Sequence, residues 1–222
     1  MLTSGIKFKN FKTIQNTSKI KKELSKLINK KYQLIESLSK KYKNSYSKKQ
    51  ISKFKKFSNF RVIGMGGSTL GTQAIYDFLK HKIKKNFIFV DNLCNNQKTK
   101  INKKVINLII SKSGNTIETI INTNVLTNNN SKNIFITENK KSYLYLLAEK
   151  LKSEIIHHNN FIGGRYSVLS EVGMLPSELM GLKMKDFRQL NFLIKNKNFY
   201  NNLVKNVSST LYFIKKKKFN SI

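Results

Sequence analysis

The sequence predicts an α/β fold: a doubly wound, mostly parallel five-stranded sheet flanked by helices, with an N-terminal helical segment before it. Three observations carry that expectation. Five short apolar runs recur in the middle of the chain, at residues 60–63, 86–90, 105–110, 133–137 and 154–157. Each has strand length, and most are bounded by Gly, Asn, Ser or Lys. Helix-period segments at 70–79, 116–126 and 142–151 lie between several of them. Strands alternating with helices imply crossover units, a parallel sheet and helices on both of its faces. Most of the ten glycines, finally, fall in three short segments that each follow one of these runs. In such sheets ligands bind beyond the carboxyl ends of the strands.

In chain order, residues 1–56 form the N-terminal helical segment. Across residues 18–42 the apolar side chains Ile20, Leu24, Leu27, Ile28, Leu34, Ile35 and Leu38 recur mostly at three- and four-residue steps. That is the period of an amphipathic helix, with lysines filling its wet face. The Ser- and Lys-rich stretch 43–56 reads as a connector. Residues 57–180 hold the sheet and its helices, with the asparagine tract 127–131 as a loop. Residues 181–222 read as a helical linker, with helices over 186–194 and 199–214. The chain ends in Phe219-Asn220-Ser221-Ile222, which looks like the first residues of a strand. That ending fits a second domain that has barely begun. No internal repeat of roughly 20–50 residues is visible.

Composition narrows the function classes. The 222 residues suffice for one domain, or for one and the start of another. A hydrophobic fraction of 39% and a charged fraction of 24% suit a globular chain rather than a disordered one. No apolar run approaches the roughly 20 residues of a membrane helix, so no membrane partner is expected. The opening MLTSGIKFKN lacks the apolar stretch of a secretory signal, which points to a cytoplasmic protein. The single Cys94 excludes an internal disulfide and cysteine-cluster metal sites.

Charge is the dominant oddity: 43 Lys and Arg stand against 11 Asp and Glu, a formal +32. Residues 1–59 carry 17 lysines against two glutamates, whereas residues 60–178 carry 16 basic residues against eight acids. Lysines neutralise phosphates and release counterions, which suits a nucleic-acid or anionic-membrane surface. Only three basic residues are arginines, however, and asparagine is abundant while Ala and Pro are scarce and Trp is absent. That pattern reads as compositional bias plus a solvated basic surface, although bias alone leaves the shortage of acids unexplained. Nucleic acid is not an expected partner.

The three glycine segments carry the chemistry. GMGGSTLG, from Gly64 to Gly71, follows the first strand and opens a helix. Its glycines allow a sharp turn and close approach of a ligand to the backbone, and the helix start offers unpaired N–H groups to an anion. A dinucleotide fingerprint competes: Gly64 and Gly66 fit it, Thr69 stands at its third glycine, and Asp91 would suit a ribose. The plain reading is a tight strand-to-helix turn. SKSGNTIET, from Ser111 to Thr119, follows the third strand. Ser111, Ser113 and Thr116 supply hydroxyls, Gly114 frees the turn and Lys112 adds charge, a set that suits a phosphate monoester. The plain reading there is a Ser/Thr helix cap. FIGGRYSVLSEVGMLP, from Phe161 to Pro176, follows the fifth strand. Its Arg165 offers a fixed guanidinium to an oxyanion, or else serves as a structural ion-pair residue.

In that order, GGS, SKSGNTIET and GGRYSVLSEVGMLP resemble the glucose-6-phosphate isomerase (phosphoglucose isomerase) family. The last segment matches most specifically. The resemblance covers about residues 60–177, the first of the family's two sugar-isomerase (SIS) domains. It implies an SIS domain over 57–180 that binds a hexose 6-phosphate. It further implies an aldose–ketose isomerase of glycolysis and gluconeogenesis, which interconverts glucose 6-phosphate and fructose 6-phosphate through a cis-enediolate without cofactor or metal. Residue by residue, Ser111, Lys112, Ser113 and Thr116 would hold the phosphate. Gly66, Gly67 and Ser68 would line the sugar, and Arg165 would stabilise the enediolate charge. Position 113 is often Thr in the family, which preserves the hydroxyl.

The resemblance also implies a homodimer. The family draws its general base, a glutamate, from the second SIS domain, its ring-opening histidine from the partner subunit, and a final lysine from near the C-terminus. None of these can be placed in this sequence, so the chain is expected to be the N-terminal half of such an enzyme. Glu118, Glu171 and Glu178 lie within the motifs but away from the base's position, and His81, His157 and His158 are expected in structural or solvated roles. The alternative function is a catalytically inert SIS module that binds a sugar phosphate for regulation.

Overall fold

A computed structural model describes residues 17–29, 32–93, 104–128, 130–188 and 195–216. Cys94, most of the helix expected over 186–194 and the strand start expected at 219–222 lie outside the described residues. The chain divides into two compact units, one of Met1–Lys40 with Arg188–Ile222 and one of Lys41–Phe187.

In the first unit, α1 (Ser18–Asn29) and α2 (Gln33–Ser37) stand in place of the single helix expected over 18–42. Tyr32 is extended, at φ −82° and ψ 132°, and precedes a separate helix. The cue is a six-residue jump in apolar spacing from Ile28 to Leu34, which leaves the helical face.

The second unit is wider than the expected 57–180 segment. Its first helix, α3 (Lys48–Ser52), lies inside the stretch expected to be a connector. A capping box starts it: Gln50 N–H donates to Ser47 Oγ at 3.2 Å, and Ser47 N–H to Gln50 Oε1 at 2.8 Å. It then delivers Ile51 and Phe54 to the main core, which is why this stretch belongs with the sheet. The strands follow as β1 (Asn59–Gly64), β2 (Asn86–Val90), β3 (Ile106–Ile110), β4 (Lys132–Thr137) and β5 (Glu154–His157). All pair in parallel, in the order β2-β1-β3-β4-β5. The helices α4 (Leu70–Leu79), α5 (Ile117–Leu126), α6 (Tyr143–Lys150), α7 (Glu171–Leu179) and α8 (Met184–Phe187) complete the unit.

Period-two alternation sorts the strand residues between two cores. Phe60, Val62, Leu108, Ile110, Ile134 and Ile136 face Ile51, Tyr76, Val172 and Leu175. Ile63, Ile109 and Phe135 face Leu144 and Ala148 of α6, with Ile120 of α5 beside them. Burial of each such side chain stabilises the fold by about 1.5–3 kcal/mol. Phe60 and Phe87 stack across β1 and β2 with centroids 4.8 Å apart.

Pro176 sits inside α7 and removes one helical donor. The carbonyl four residues earlier, on Val172, accepts instead from the buried Thr72 hydroxyl of α4 at 3.4 Å. A sequence irregularity in one helix thus finds its partner in the next. In the first unit, α9 (Lys197–Lys215) packs on α1 and is capped by Asn196, whose Oδ1 accepts from Phe199 N–H at 3.0 Å.

Candidate functional site

The strand order places a topological switch between β1 and β3, because the chain leaves β1 for β2 on one side and returns to β3 on the other. The crevice beyond the carboxyl ends of two such strands is where ligands bind in open parallel sheets. The first glycine segment follows β1 and the second follows β3, so the two open onto this crevice.

Close backbone approach and a few side-chain hydrogen bonds join the three segments. Gly64 pairs with Ile110 across β1 and β3, and a Cβ at Gly64 would lie 2.8 Å from the Ile110 carbonyl oxygen. Gly66, Gly67 and Ser68 form a single 3₁₀ turn, with Gly66 at φ 53°. A Cβ at Gly67 would lie 2.2 Å from the Gly164 carbonyl oxygen and 2.9 Å from Arg165 N. Only glycine permits that approach. Ser167 reinforces it, donating its hydroxyl to Gly164 O at 2.7 Å and Gly67 O at 3.4 Å. Lys112 closes the third side, donating from Nζ to the Asn160 carbonyl at 2.8 Å.

Within the second segment, Thr116 precedes α5 at the N-cap but makes no side-chain cap bond. Its hydroxyl instead meets Ser111 Oγ at 3.1 Å, and Ser111 is buried. The plain reading of Thr116 as an ordinary side-chain helix cap is therefore not met. The first-turn amides of α5 carry the positive end of the helix dipole without the Thr116 hydroxyl over them. Ser113 is exposed and accepts from Asn115 N–H at 3.3 Å. The Lys112 ammonium also pairs with Glu138 at 3.4 Å. Arg165 is exposed in the 3₁₀ segment Gly164–Leu169, directly behind the Gly67 contact.

Sequence reasoning missed the network beneath the third segment. Glu171, the first residue of α7, is fully buried. Its Oε1 accepts from Asn159 N–H at 2.5 Å and its Oε2 from the Tyr42 hydroxyl at 3.1 Å. Asn159 Nδ2 donates in turn to Tyr42 Oη at 3.3 Å. Next to them His158 is 2% exposed, with Nδ1 3.0 Å from the Asn159 carbonyl. Burial pulls the His158 pKa below its ordinary 6.5, against the opposing pull of the Asn159 carbonyl and of Glu171. These contacts stitch residues 158–160, the run-up to Gly163 and Arg165, to α7 and to the stretch before α3. Only the position of Glu171 inside the third segment hinted at them. Among the described residues, no group of three or more His, Cys, Asp or Glu is placed to hold a metal ion.

Comparison with known proteins finds relatives in sequence and in fold. The family model for phosphoglucose isomerase matches residues 13–195. Glucose-6-phosphate isomerase of Methanocaldococcus jannaschii is 35% identical over 162 residues, 66% of this chain and 40% of that protein. The enzyme of the same name from Mycoplasmopsis pulmonis is 30% identical over 181 residues, 70% of this chain and 42% of that protein. The chain thus spans less than half the length of these relatives. Among solved structures, a hypothetical protein of Thermus thermophilus superposes with TM-score 0.66 at 20% identity, covering 86% of this chain and 51% of that one. A protein of E. coli, solved as a ligand complex, superposes with TM-score 0.51 at 15% identity, covering 78% and 97%. These likenesses share the α/β fold. With the family match extending over most of its length, the chain belongs to the phosphoglucose isomerase family.

Proposed function

We propose that this chain supplies the sugar-phosphate-binding half of an isomerase that interconverts glucose 6-phosphate and fructose 6-phosphate through a cis-enediolate. The observation that carries the reading is the start of α5. A helix N-terminus without a side-chain cap, beside the Ser111–Thr116 hydroxyl pair, opens at the switch point of the sheet. In this reading the phosphate accepts hydrogen bonds from the first-turn amides and from the hydroxyls of Ser111, Ser113 and Thr116. Lys112 supplies the neighbouring charge, shared at rest with Glu138 and the Asn160 carbonyl.

The backbone around Gly66, Gly67 and Ser68 approaches the sugar. Arg165, which follows Gly164 at the Gly67 contact, would then bring its guanidinium to the negative charge developing on the enediolate oxygens. Moving the proton between C1 and C2 needs a base, which the family resemblance assigns to the second SIS domain. This chain binds and orients; the other domain completes the acid–base chemistry.

Titration calorimetry of the chain with fructose 6-phosphate tests the binding half. Thr116→Ala and Lys112→Ala should each weaken binding about tenfold, or ~1.4 kcal/mol. Arg165→Ala should leave binding nearly unchanged and, in a two-domain enzyme, lower turnover by about 10²–10³. Equal loss of binding from all three would contradict the separate roles.

A further inference from the structure

The amino ends of the strands, opposite the glycine segments, hold a concentration of cations that the isomerase reading does not use. The ammonium groups of Lys56, Lys104 and Lys132 lie 5.9, 5.9 and 5.3 Å from the centroid of one ring, Phe57. They come from the approaches to β1 and β3 and from the first residue of β4, so the topology of the sheet gathers them. Each is attracted to the ring face, but the three repel one another. Beside them, Arg61 of β1 is only 7% exposed. It donates to two uncharged acceptors, Asn107 Oδ1 and the Leu126 carbonyl, both at 3.2 Å.

Arg61, Asn107 and Asn133 are register neighbours on β1, β3 and β4, and Asn107 Nδ2 donates to Asn133 Oδ1 at 2.8 Å. Arg61 and Asn107 of this polar row line a cleft of about 340 Å³ whose walls include Lys104 and Lys132. A second cleft of about 260 Å³ shares Lys132 and adds Lys53, Lys56 and Lys152. The acid lining it, Glu154, is already held by Lys53 at 2.5 Å and by Gln50 Nε2 at 3.1 Å.

We propose that these adjoining clefts bind an oligophosphate chain, either inorganic tripolyphosphate or the phosphates of a nucleoside triphosphate. Compositional bias scatters lysines over a surface; here three converge on one ring next to a buried guanidinium, one of only three arginines in the chain. Arg61 is held in place by its two acceptors, so it adds charge without the ordering cost of a free side chain. A single phosphate would engage one cleft. Two clefts bridged by Lys132 match an extended anion of three phosphates, which relieves the mutual repulsion of the ammonium groups.

The test is titration of the 222-residue chain at about 0.15 M salt with tripolyphosphate and, separately, with ATP. We expect saturable one-to-one binding that fructose 6-phosphate does not displace. Lys104→Gln with Lys132→Gln should weaken it at least about thirtyfold, or ~2 kcal/mol. The control pair Lys19→Gln with Lys22→Gln, on exposed α1, removes the same charge and should change affinity less than about twofold. Equal affinity for both ligands shows that the phosphate chain is the whole determinant, and tighter ATP binding adds a contact to the nucleoside. Either result supports the site. Equal weakening by the two variant pairs, non-saturating binding or displacement by fructose 6-phosphate would overturn it.

Discussion

At the carboxyl ends of the strands, loops approach so closely that Gly64 and Gly67 meet neighbouring backbone, and what they leave facing the crevice is amide and hydroxyl. At the amino ends of the same strands the approach is made by long side chains, with lysines gathered over Phe57 and one arginine sunk into the sheet. The first construction is backbone against backbone and, in the function proposed above, would select a ligand by shape. The second is built on long, rotatable lysine stems; as a binding site it would select by charge and weaken as salt screens it. Net charge therefore says little about the crevice in this chain. Several of the lysines in its middle segment stand at the opposite end from the glycine segments.

The sharpest way to break this contrast is to put a methyl group where the carboxyl end has no room. In Gly67→Ala the new Cβ would stand 2.2 Å from Gly164 O and 2.4 Å from Gly164 C. Both are backbone atoms, so no side-chain rotation relieves the clash. We expect a loss of about 3 kcal/mol or more in denaturant unfolding, and loss of sugar-phosphate binding with it. Gly164→Ala is the matched control, because its Cβ would meet nothing within 4 Å. A Gly67→Ala protein as stable as its parent would show that the turn and the Arg165 segment are not locked together.

Smaller, and aimed at the support beneath that lock, is the Glu171 carboxylate. Glu171→Ala leaves the Asn159 amide and the Tyr42 hydroxyl without their buried acceptor and should cost about 2–4 kcal/mol. Glu171→Gln keeps the size and one acceptor oxygen, and should cost about half as much. If the two variants unfold at the same denaturant concentration, the hydrogen bonds are not what the carboxylate contributes.

The sheet was legible because period and punctuation agreed: the strand residues alternate between two cores, and a glycine turn or polar loop ends most of the runs. The α3 helix was not, since its one buried apolar residue, Ile51, with Phe54 just beyond its end, is too little to set a period. Its capping box at Ser47 and Gln50 was the available signal. At the site, the glycine segments could be found because close backbone approach demands a residue type. Tyr42, Asn159 and His158 demand nothing of the kind. Their roles arise from contacts between residues as far as 129 positions apart, which no local pattern records.

The mildest expected effect concerns pH. His158 is buried between the Asn159 carbonyl, the carboxylates of Glu171 and Glu138, and the Lys112 ammonium. Burial is the largest influence, and it holds the folded-state pKa below the ordinary 6.5. Well above about pH 6.5 the imidazole is neutral in both folded and unfolded chains and contributes no pH dependence. As the pH falls below that value the unfolded chain takes up the proton first, so stability declines until the folded-state pKa is also passed. His158→Asn places an amide near Nδ1, where it can still donate to the Asn159 carbonyl, and removes the titration. Between pH 7.5 and pH 5.5 the unfolding free energy should therefore fall more for the parent than for the variant. His81 and His157 remain in both proteins, so they cancel in the difference. Raised salt should leave this difference nearly unchanged, because desolvation of a buried ring, the largest influence here, is insensitive to salt. Identical pH slopes in parent and variant would mean that His158 is protonated as readily inside the fold as outside it.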